Sequence, residues 1–364
     1  MSTQPISITH VEIIPLDIPL KTPFTIAIGK KDSIQNVLIK IRLTNGVEGL
    51  GEAAPLEPIN WENQATVLAT LHSCKDFLLG KDVAEYRKIA HQIKGVFSIQ
   101  ATARCVIEMA LLDAYTQTLG LPLYRFFGGA QNAIETDYTI DILPADQAKN
   151  LAASLTQRGY KTIKTKVGKH MDEDIDRILA IKEGAPGCNL MIDANQGFSV
   201  KQALTFLDKL ADQHITPVLF EQPVIKHDLD GMRFIRENTS IPVAADETVF
   251  TAANAMAVVK SGCADIINIK LMKSGLIEAL DIAAIARRAN IGLMIGCMLE
   301  TTLGLGCAAH FAAGLGGFQF VDLDPHLDPA DNPFTGGPDF REALYDLSGI
   351  EKGIGVSLKP IKNE

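Results

Sequence analysis

The feature that most constrains the fold is an alternation of short β-branched runs with helical patterns, which begins near residue 135. Eight apolar runs are separated by amphipathic segments, and in chain order they are ETDYTIDI, YKTIKTKV, LMIDAN, PVLFEQ, IPVAADE, ADIINIKL, IGLMIGC and FQFVDLD. Strands that alternate with helices form parallel sheets, and eight such units in series predict a barrel. We therefore predict an α/β fold with a (β/α)7-8 TIM-type barrel over residues 126–325.

The residues before this alternation predict a separate α+β domain, which we assign to 1–125. Three β-rich segments form a meander, and Asn45-Gly46 is a strong tight-turn signal between the second and third of them. Loops are expected near 20–33, which is rich in Gly, Pro, Lys and Ser, and near 52–60. Helical patterns follow, and a C-terminal segment, 326–364, is expected to pack back toward this first domain.

Composition and charge exclude several classes of partner. The net charge of −9 argues against nucleic acid and against anionic membranes. The start of the chain lacks the pattern of a signal peptide, and no run of 18 apolar residues is present. The six cysteines form no C-x-x-C motif, which is typical of reduced core residues. We therefore expect a cytoplasmic enzyme, with no membrane or nucleic-acid partner.

Two lysines, Lys164 and Lys166, lie two residues apart in an apolar, β-branched run. In a strand, residues i and i+2 share a face, so both side chains are expected to point the same way. Taken alone, the pair is more typical of a solvated surface strand than of a functional site, because lysine is seldom buried.

The ends of the predicted strands change this interpretation. Charged residues end five successive runs at Lys166, Asp193, Glu221, Asp246 and Lys270, with intervals of 27, 28, 25 and 24 residues. Each interval is about one strand–helix unit, so all five are expected at the carboxyl-end rim, where barrel enzymes have their active sites. A single Asp after a strand usually caps a helix, but five charges in phase indicate an active site.

The chemistry of these residues suggests metal-assisted proton transfer. Three carboxylates without Cys or His favour Mg²⁺, with Mn²⁺ possible, at one ion per subunit. A substrate carboxylate is the expected additional ligand. Lys166 and Lys270, on the second and sixth strands, would then flank its α-carbon on both faces and suit removal and return of a proton. Nearby Mg²⁺ and the like charge of Lys164 are expected to lower the pKa of Lys166.

The chain resembles the enolase superfamily, in its muconate-lactonising-enzyme subgroup, over essentially its whole length. The resemblance is carried by ARCVIEMALLDAYTQTLGLPLYRFFGG, KTKVG, DAN, EQP, ADE and IKLMKSG. It implies that Lys166 and Lys270 are the paired acid/base residues, that Lys164 tunes Lys166 and contacts the substrate carboxylate, and that the loops near 20–33 and 52–60 form a capping lid. By the same resemblance the Mg²⁺ ligands are Asp193, Glu221 and Asp246.

The eighth run indicates the substrate. It ends in Asp322-x-Asp324, which again places two side chains on one face of a strand. The pattern resembles the D-x-D of dipeptide epimerases, where two carboxylates hold the α-ammonium group of the first residue. We therefore predict epimerisation of the C-terminal residue of a small-molecule dipeptide. Cys297 and Thr136 are weaker candidates for substrate contact.

The second side chain of the dipeptide is less constrained. Relatives that act on Ala-Glu use an arginine in the loop near residue 20, and TIAIGKKDS has none. Lys30 or Lys31 are possible substitutes, and Ile28 lies where a cation would be expected. We predict Ala followed by a small or apolar residue, such as Ala-Ala, and Ala-Glu stays open.

Several alternatives compete with this prediction. The same subgroup includes N-acylamino-acid racemases and o-succinylbenzoate synthases, but neither needs a carboxylate pair for an ammonium group. A Schiff-base aldolase barrel would use the lysine of the sixth strand, yet it does not need three metal-type carboxylates. A non-catalytic binding protein is disfavoured because no catalytic position is missing. A homo-oligomer is expected from the resemblance.

Overall fold

The computed structural model describes residues 5–26, 29–325 and 332–359. It contains a three-stranded antiparallel sheet, an eight-stranded parallel sheet and two small sheets that involve the C-terminal segment. None of the helices in this part of the chain is long and apolar enough to cross a membrane.

The N-terminal domain begins with the predicted meander. Its strands are β1 (Ile8–Ile26), β2 (Gly29–Leu43) and β3 (Glu48–Ala53), and they pair in chain order. The predicted turn is present, because Gly46 has a φ of 82° and its N–H donates to Leu43 O at 3.0 Å. Within the segment near 20–33, where a loop was expected, β1 and β2 are still paired on either side of residues 27–28, as in the pair of Phe24 with Lys31.

Helices cover one face of this sheet and extend to the barrel. They are α1 (Glu57–Asn60), α2 (Gln64–Leu78), α3 (Tyr86–Val96), α4 (Ala101–Leu119) and α5 (Leu123–Phe126). Helix α4 packs directly on β3 because two strand positions carry no side chain. A Cβ atom at Gly51 would lie 2.0 Å from Val106 O, and one at Gly49 would lie 2.3 Å from Ala110 O. The residues near 52–60, expected as a loop, begin in β3 and end in α1.

The eight predicted runs each contain a strand of one parallel sheet, which confirms the barrel fold. The strands are β5 (Tyr138–Ile140), β6 (Thr162–Lys166), β7 (Asn189–Asp193), β8 (Leu219–Glu221), β9 (Val243–Ala245), β10 (Ile266–Lys270), β11 (Gly292–Gly296) and β12 (Phe318–Asp322). Neighbours in the sheet are neighbours in the chain, as in a barrel. A hydrogen bond from Asp137 N to Val321 O, 3.0 Å long, joins the first and last strands.

Helices alternate with these strands, and apolar side chains fill the barrel near its amino end. The helices are α6 (Ala145–Gln157), α7 (Met171–Gly184), α8 (Val200–Asp212), α9 (Leu229–Glu237), α10 (Ala252–Ser261), α11 (Leu271–Ser274), α12 (Leu276–Arg288) and α13 (Thr302–Leu315). The buried interior cluster consists of Met191, Leu219, Ala244, Ile266 and Met294. The first four precede the charged residues at the ends of their strands by two to four positions, so an apolar layer lies below the charged groups.

The C-terminal segment adds β13 (Phe334–Gly336), β14 (Asp339–Arg341), β15 (Leu344–Asp346) and β16 (Val356–Leu358). Strand β15 pairs with β4 (Ala133–Glu135), which lies just before the barrel. The N–H of Ile354 donates to Asp113 Oδ1 of α4 at 2.8 Å. The segment therefore contacts both the barrel and the N-terminal domain.

Candidate active site

The five charged strand ends lie where the sequence places them. Lys166, Asp193 and Glu221 are the last residues of β6, β7 and β8, and Lys270 is the last residue of β10. Asp246 directly follows β9. In the sheet register Lys166 is opposite Asp193, which is in turn opposite Glu221. All five side chains are buried, so the rim of the barrel concentrates charge away from solvent.

Lys164, two residues before Lys166, is also fully buried, at 0% exposure. Its Nζ lies 2.6 Å from Glu221 Oε2, 2.6 Å from Asp322 Oδ2 and 3.2 Å from Asp193 Oδ2. The alternate residue Ile163 belongs to the apolar core, as expected for the other face of a strand. The surface-strand interpretation of the lysine pair is therefore wrong.

The two predicted acid/base lysines each contact one carboxylate. Lys166 Nζ lies 2.7 Å from Asp193 Oδ2, and Lys270 Nζ lies 2.8 Å from Asp246 Oδ2. Both side chains line the same cavity, and each is less than 10% exposed. This arrangement brings two buried primary amines from separate strands, β6 and β10, to one cavity.

The pKa of Lys166 depends on burial and on the charged groups around it. Burial lowers its pKa, and so do the ammonium groups of Lys164 and Lys270. Burial is the largest of these effects, but the carboxylates of Asp193 and Glu221 act in the opposite direction, and the pKa of Lys166 lies above its ordinary value. The contribution expected from Lys164 is present, but it is smaller than that of Asp193, whose carboxylate is within hydrogen-bond distance of the Lys166 ammonium group.

The pKa values of the carboxylates also depend on the charged groups that they contact. Burial opposes ionisation of Asp246, but the ammonium groups of Lys270 and Lys273 outweigh it and hold the pKa well below its usual range. Burial, together with the negative charge of Asp193, raises the pKa of Glu221 to about 7. For these two carboxylates, the lysine contacts therefore decide whether burial is overcome.

Two further residues complete this network and were missed from the sequence. Lys273 Nζ donates to Asp246 Oδ1 at 2.6 Å, and Asn268 Nδ2 donates to Glu221 Oε1 at 2.7 Å. Both lie in INIKLMK: Asn268 is two residues before Lys270, and Lys273 is three residues after it. The alternation of a strand places Asn268 on the same face as Lys270, so its position was readable. Lys273 lies in α11, whose start directly after the strand was not predicted.

The cavity has a polar floor and an apolar wall, with an open volume of about 470 Å³. The wall comes from the N-terminal domain and from the segment after β11. Its lining residues are Leu56, Ile59, Thr139, Lys166, Asn195, Lys270, Cys297, Met298, Leu299, Asp322 and Asp324. Cys297 is partly buried there, and burial raises the pKa of its thiol well above the ordinary value.

Asp322 and Asp324 both reach this cavity, and Thr139 holds them. The Thr139 hydroxyl donates to Asp322 Oδ1 at 3.3 Å, and the Thr139 N–H donates to Asp324 Oδ2 at 3.1 Å. Thr136 is not part of the lining. Its hydroxyl donates to Val321 O at 3.3 Å and accepts from Leu323 N at 2.8 Å, so it joins strand segments.

The structure therefore favours Thr139 over Thr136 as the threonine of the first strand that faces the substrate. Residues three apart in an extended chain point to opposite faces, which explains why the two threonines differ. The residues that were expected to contact the second side chain of the dipeptide are not part of this strand. Ile28, and the side chains of Lys30 and Lys31, lie outside what the structure describes.

A capped barrel with acidic strand ends, and with two lysines in one cavity, is the pattern expected of the enolase superfamily and its muconate-lactonising subgroup, and comparison with known families agrees. Residues 8–128 match the N-terminal domain of the mandelate racemase / muconate lactonizing enzyme family. Residues 146–362 match the family described as enolase C-terminal domain-like. The chain belongs to the mandelate racemase / muconate lactonizing enzyme family, which confirms the predicted superfamily.

Individual relatives are similar over their whole length. The aromatic dipeptide epimerase of Herpetosiphon aurantiacus is 40% identical, over 97% of this chain and 99% of that protein. The L-Ala-D/L-Glu epimerase of Bacillus subtilis is 36% identical, over 96% of each. A crystal structure of a dipeptide epimerase from Enterococcus faecalis, complexed with Mg and the dipeptide L-Leu-L-Tyr, has a TM-score of 0.92 and 35% identity, and it covers 96% of this chain and 99% of that one.

Proposed function

We propose that the protein is a Mg²⁺-dependent dipeptide epimerase that inverts the α-carbon of the C-terminal residue by proton transfer between two lysines. One observation carries the proposal. Lys166 and Lys270, buried on separate strands, line the same cavity as the carboxylate pair Asp322 and Asp324. The relatives named above are dipeptide epimerases, in agreement with the activity predicted from the sequence.

The roles of the lysines follow from their contacts. Lys164 has three carboxylate oxygens within 3.2 Å, so it stays an ammonium ion and serves as a fixed charge. Lys166 and Lys270 each have one such contact. These two are therefore free to reorient toward a substrate, one as the neutral amine that removes the α-proton and the other as the ammonium ion that returns a proton.

The donor set at the rim fits a hard divalent cation. Asp193, Glu221 and Asp246 offer carboxylate oxygens at the ends of adjacent strands, and each contacts at least one ammonium group in this structure. These residues would hold Mg²⁺, with Mn²⁺ accepted by the same donors, at one ion per subunit. When bound, the ion supplies positive charge against which the carboxylate of the dipeptide is oriented.

The other end of the dipeptide meets Asp322 and Asp324. Lys164 already contacts Asp322, and Asp324 accepts from the backbone of Thr139, so both carboxylates are held in place. Burial favours a cation beside this carboxylate pair, because a neutral acylated nitrogen brings no positive charge to a site that already contains two acidic groups. The site therefore favours a free amino terminus.

The wall of the cavity supports an apolar second residue. Leu56, Ile59, Met298 and Leu299 are buried side chains that face the space. Among the described lining residues there is no arginine, and the two lysines present are those assigned to proton transfer. An acidic side chain would find no cation of its own there, so we propose dipeptides such as L-Ala-L-Phe or L-Leu-L-Tyr in preference to L-Ala-L-Glu.

The test is deuterium exchange in D₂O with Mg²⁺, followed by NMR, on L-Ala-L-Phe, L-Ala-L-Glu and N-acetyl-L-phenylalanine. We expect exchange and epimerisation to be fastest with the apolar free dipeptide. Lys166→Ala and Lys270→Ala should each abolish epimerisation, and Lys149→Ala, which removes an exposed ion pair with Glu183, should not. Faster turnover of the N-acetyl compound, or full activity in either active-site variant, would overturn the proposal.

Two properties of the whole protein belong to the same proposal. All six cysteines are free, which supports a reducing compartment such as the cytoplasm. We also propose a homo-oligomer. Size-exclusion chromatography with light scattering tests this directly, and a mass of a single chain would contradict it.

A further inference from the structure

A buried carboxyl group next to the ammonium site has no role in the proposed function. Asp137 directly precedes β5 and is 2% exposed. Neither of its carboxyl oxygens has a hydrogen-bond partner among the described residues. One oxygen each from Asp137, Asp322 and Asp324 lie within 4.8 Å of one another. Asp137 is therefore a third acidic group behind the pair that faces the cavity.

The three carboxyl groups differ in their donors. Asp322 contacts Lys164 Nζ at 2.6 Å and the Thr139 hydroxyl at 3.3 Å. Asp324 accepts from Thr139 N at 3.1 Å. Asp137 receives no such donor. An ionised carboxylate without a partner in a buried site is very costly, and it usually keeps a proton instead.

The surroundings of Asp137 favour that proton. Burial raises its pKa well above the ordinary value, and the negative charges of Asp322 and Asp324 raise it further. The ammonium group of Lys164 acts in the opposite direction, and Glu221 adds to the rise. Lys164 is also shared with Glu221 and Asp193, so its charge is already divided among other carboxylates.

The position of Asp137 separates it from the substrate. It does not line the cavity that contains Lys166 and Lys270, but a second cavity near the amino end of the barrel, beside Thr162 and Phe320. Its backbone N–H donates to Val321 O at 3.0 Å, one residue before Asp322. Asp137 is thus fixed to β12 and approaches the carboxylate pair from the interior of the barrel.

We propose that Asp137 is a positioning residue of the ammonium site, held as a neutral carboxylic acid whose O–H donates to Asp322 or Asp324. The shared proton orients the carboxylate pair and separates its negative charges before a substrate arrives. The inference rests on the proposed function, because it assigns the pair to the α-ammonium group of a dipeptide. The proposal predicts that substrate binding depends on a hydrogen-bond donor at position 137 and does not depend on ionisation of that residue.

Two variants distinguish these properties. Asp137→Asn keeps a donor of the same shape without a titrating proton, so KM for L-Ala-L-Phe should stay within about threefold of the wild type. Asp137→Ala removes a hydrogen bond to a charged acceptor, which corresponds to a rise in KM of about tenfold or more. The kcat should change little in both, because the residue does not touch the reacting atoms. Asp208→Asn, on the exposed face of α8, is the matched control.

Infrared difference spectroscopy tests the proton without using activity. At neutral pH the wild-type minus Asp137→Asn spectrum should contain the carbonyl stretch of a protonated carboxylic acid, and the Asp208→Asn difference should not. This measurement needs only the folded protein, so it stands even if no dipeptide proves to be a substrate. Absence of exchange with every dipeptide would refute the proposed function alone.

The opposite results would overturn the inference. An ionised Asp137 that binds the ammonium group directly would show no acid band, and Asp137→Asn would then weaken binding as much as Asp137→Ala. Far-UV circular dichroism and urea unfolding establish whether Asp137→Ala is folded. Should that variant fail to fold, the Asn variant and its difference spectrum still decide between the two states.

Discussion

Glu52 gives the sharpest test of how the N-terminal domain shapes the active site. Its side chain is 0% exposed and reaches from β3 to the start of α13. Glu52 Oε2 accepts from the hydroxyl of Thr301 at 2.6 Å and from the N–H of Gly304 at 2.9 Å, while Oε1 accepts from Thr301 N at 3.0 Å. A carboxylate at a helix N-terminus satisfies free N–H groups and interacts favourably with the helix dipole.

The same contact supports the cavity wall. Asn36 Nδ2 donates to Glu52 Oε1 at 2.7 Å and to Leu299 O at 2.8 Å. Leu299 lines the cavity, so Glu52 and Asn36 together fix the segment that follows β11 against the N-terminal domain. Loss of Glu52 is therefore expected to affect both the stability of the fold and the binding of the dipeptide.

The magnitude for Glu52→Ala follows from the donors left behind. The N–H groups of Thr301 and Gly304 lose their acceptor in a buried site, at about 1 to 3 kcal/mol each. The Thr301 hydroxyl can rotate to another acceptor, and Asn36 keeps its hydrogen bond to Leu299 O. We therefore add no further loss of free energy for these two groups. We expect a loss of about 4 kcal/mol in the free energy of unfolding. Glu52→Gln keeps one acceptor oxygen and should lose about 1 to 2 kcal/mol.

Urea unfolding followed by far-UV circular dichroism measures these changes, and KM for an apolar dipeptide should rise several-fold in the Ala variant. Glu48→Ala is the matched control, because Glu48 is on the same strand but forms an exposed ion pair with Arg42. Such pairs contribute at most about 1 kcal/mol. If Glu52→Ala unfolds within about 1 kcal/mol of the wild type, with unchanged KM, the two domains do not depend on this contact and the reasoning fails.

Three other predictions concern the metal, the pH dependence of stability and the packing of α4. Chelation of divalent ions should abolish exchange, Mg²⁺ should restore it, and Asp193→Asn should need far more Mg²⁺, as measured by titration. Burial lowers the pKa of His310 to about 3. Between about pH 3 and 6.5, His310 is therefore protonated in the unfolded chain and neutral in the folded chain. On going from pH 7 to pH 5, the free energy of unfolding of the wild type should fall by about 2 kcal/mol relative to that of His310→Gln, as measured by urea unfolding. Gly51→Ala should lower the melting temperature markedly, or prevent folding, since its Cβ would lie 2.0 Å from Val106 O.

Each of these has a clear contrary outcome. Full activity in the chelator would exclude the metal from the reaction. An unchanged difference in stability between wild type and His310→Gln at the two pH values would mean that the buried imidazole is not held neutral. A Gly51→Ala protein that melts together with Gly95→Ala, whose added Cβ meets nothing within 4 Å, would show that α4 can move away from β3 at little cost.

The periodic pattern of the sequence was enough to predict the barrel fold and the location of the active site. The alternation of eight runs predicted the barrel, because strands that alternate with helices pair in parallel and close on themselves. The spacing of about one unit between Lys166, Asp193, Glu221, Asp246 and Lys270 placed them on one rim, because parallel strands all end at the same side. Both inferences depend only on local repeats, and both agree with the strand bounds.

Other properties depended on which atoms meet across long separations in the chain. The pKa of Lys166 is raised by a contact with Asp193, and that contact depends on distance in space and cannot be read from residue type. Thr139 contacts Asp322 in the cavity, and Thr136 bonds to the backbone instead, because the position of a residue along the strand decides which face it takes. The segment near 20–33 has loop-like composition, yet its described residues 24–26 and 29–31 pair between β1 and β2.

The three carboxyl groups at the ammonium site illustrate the division most clearly. Asp322 and Asp324 were visible in the sequence because two acids share a face at i and i+2. Asp137 was not, because it precedes the first strand, 185 residues before Asp322, and only closure of the barrel brings it alongside. Local spacing thus determined the type of chemistry and the rim where it occurs. Tertiary packing decided the partners, and with them the charge, of each group.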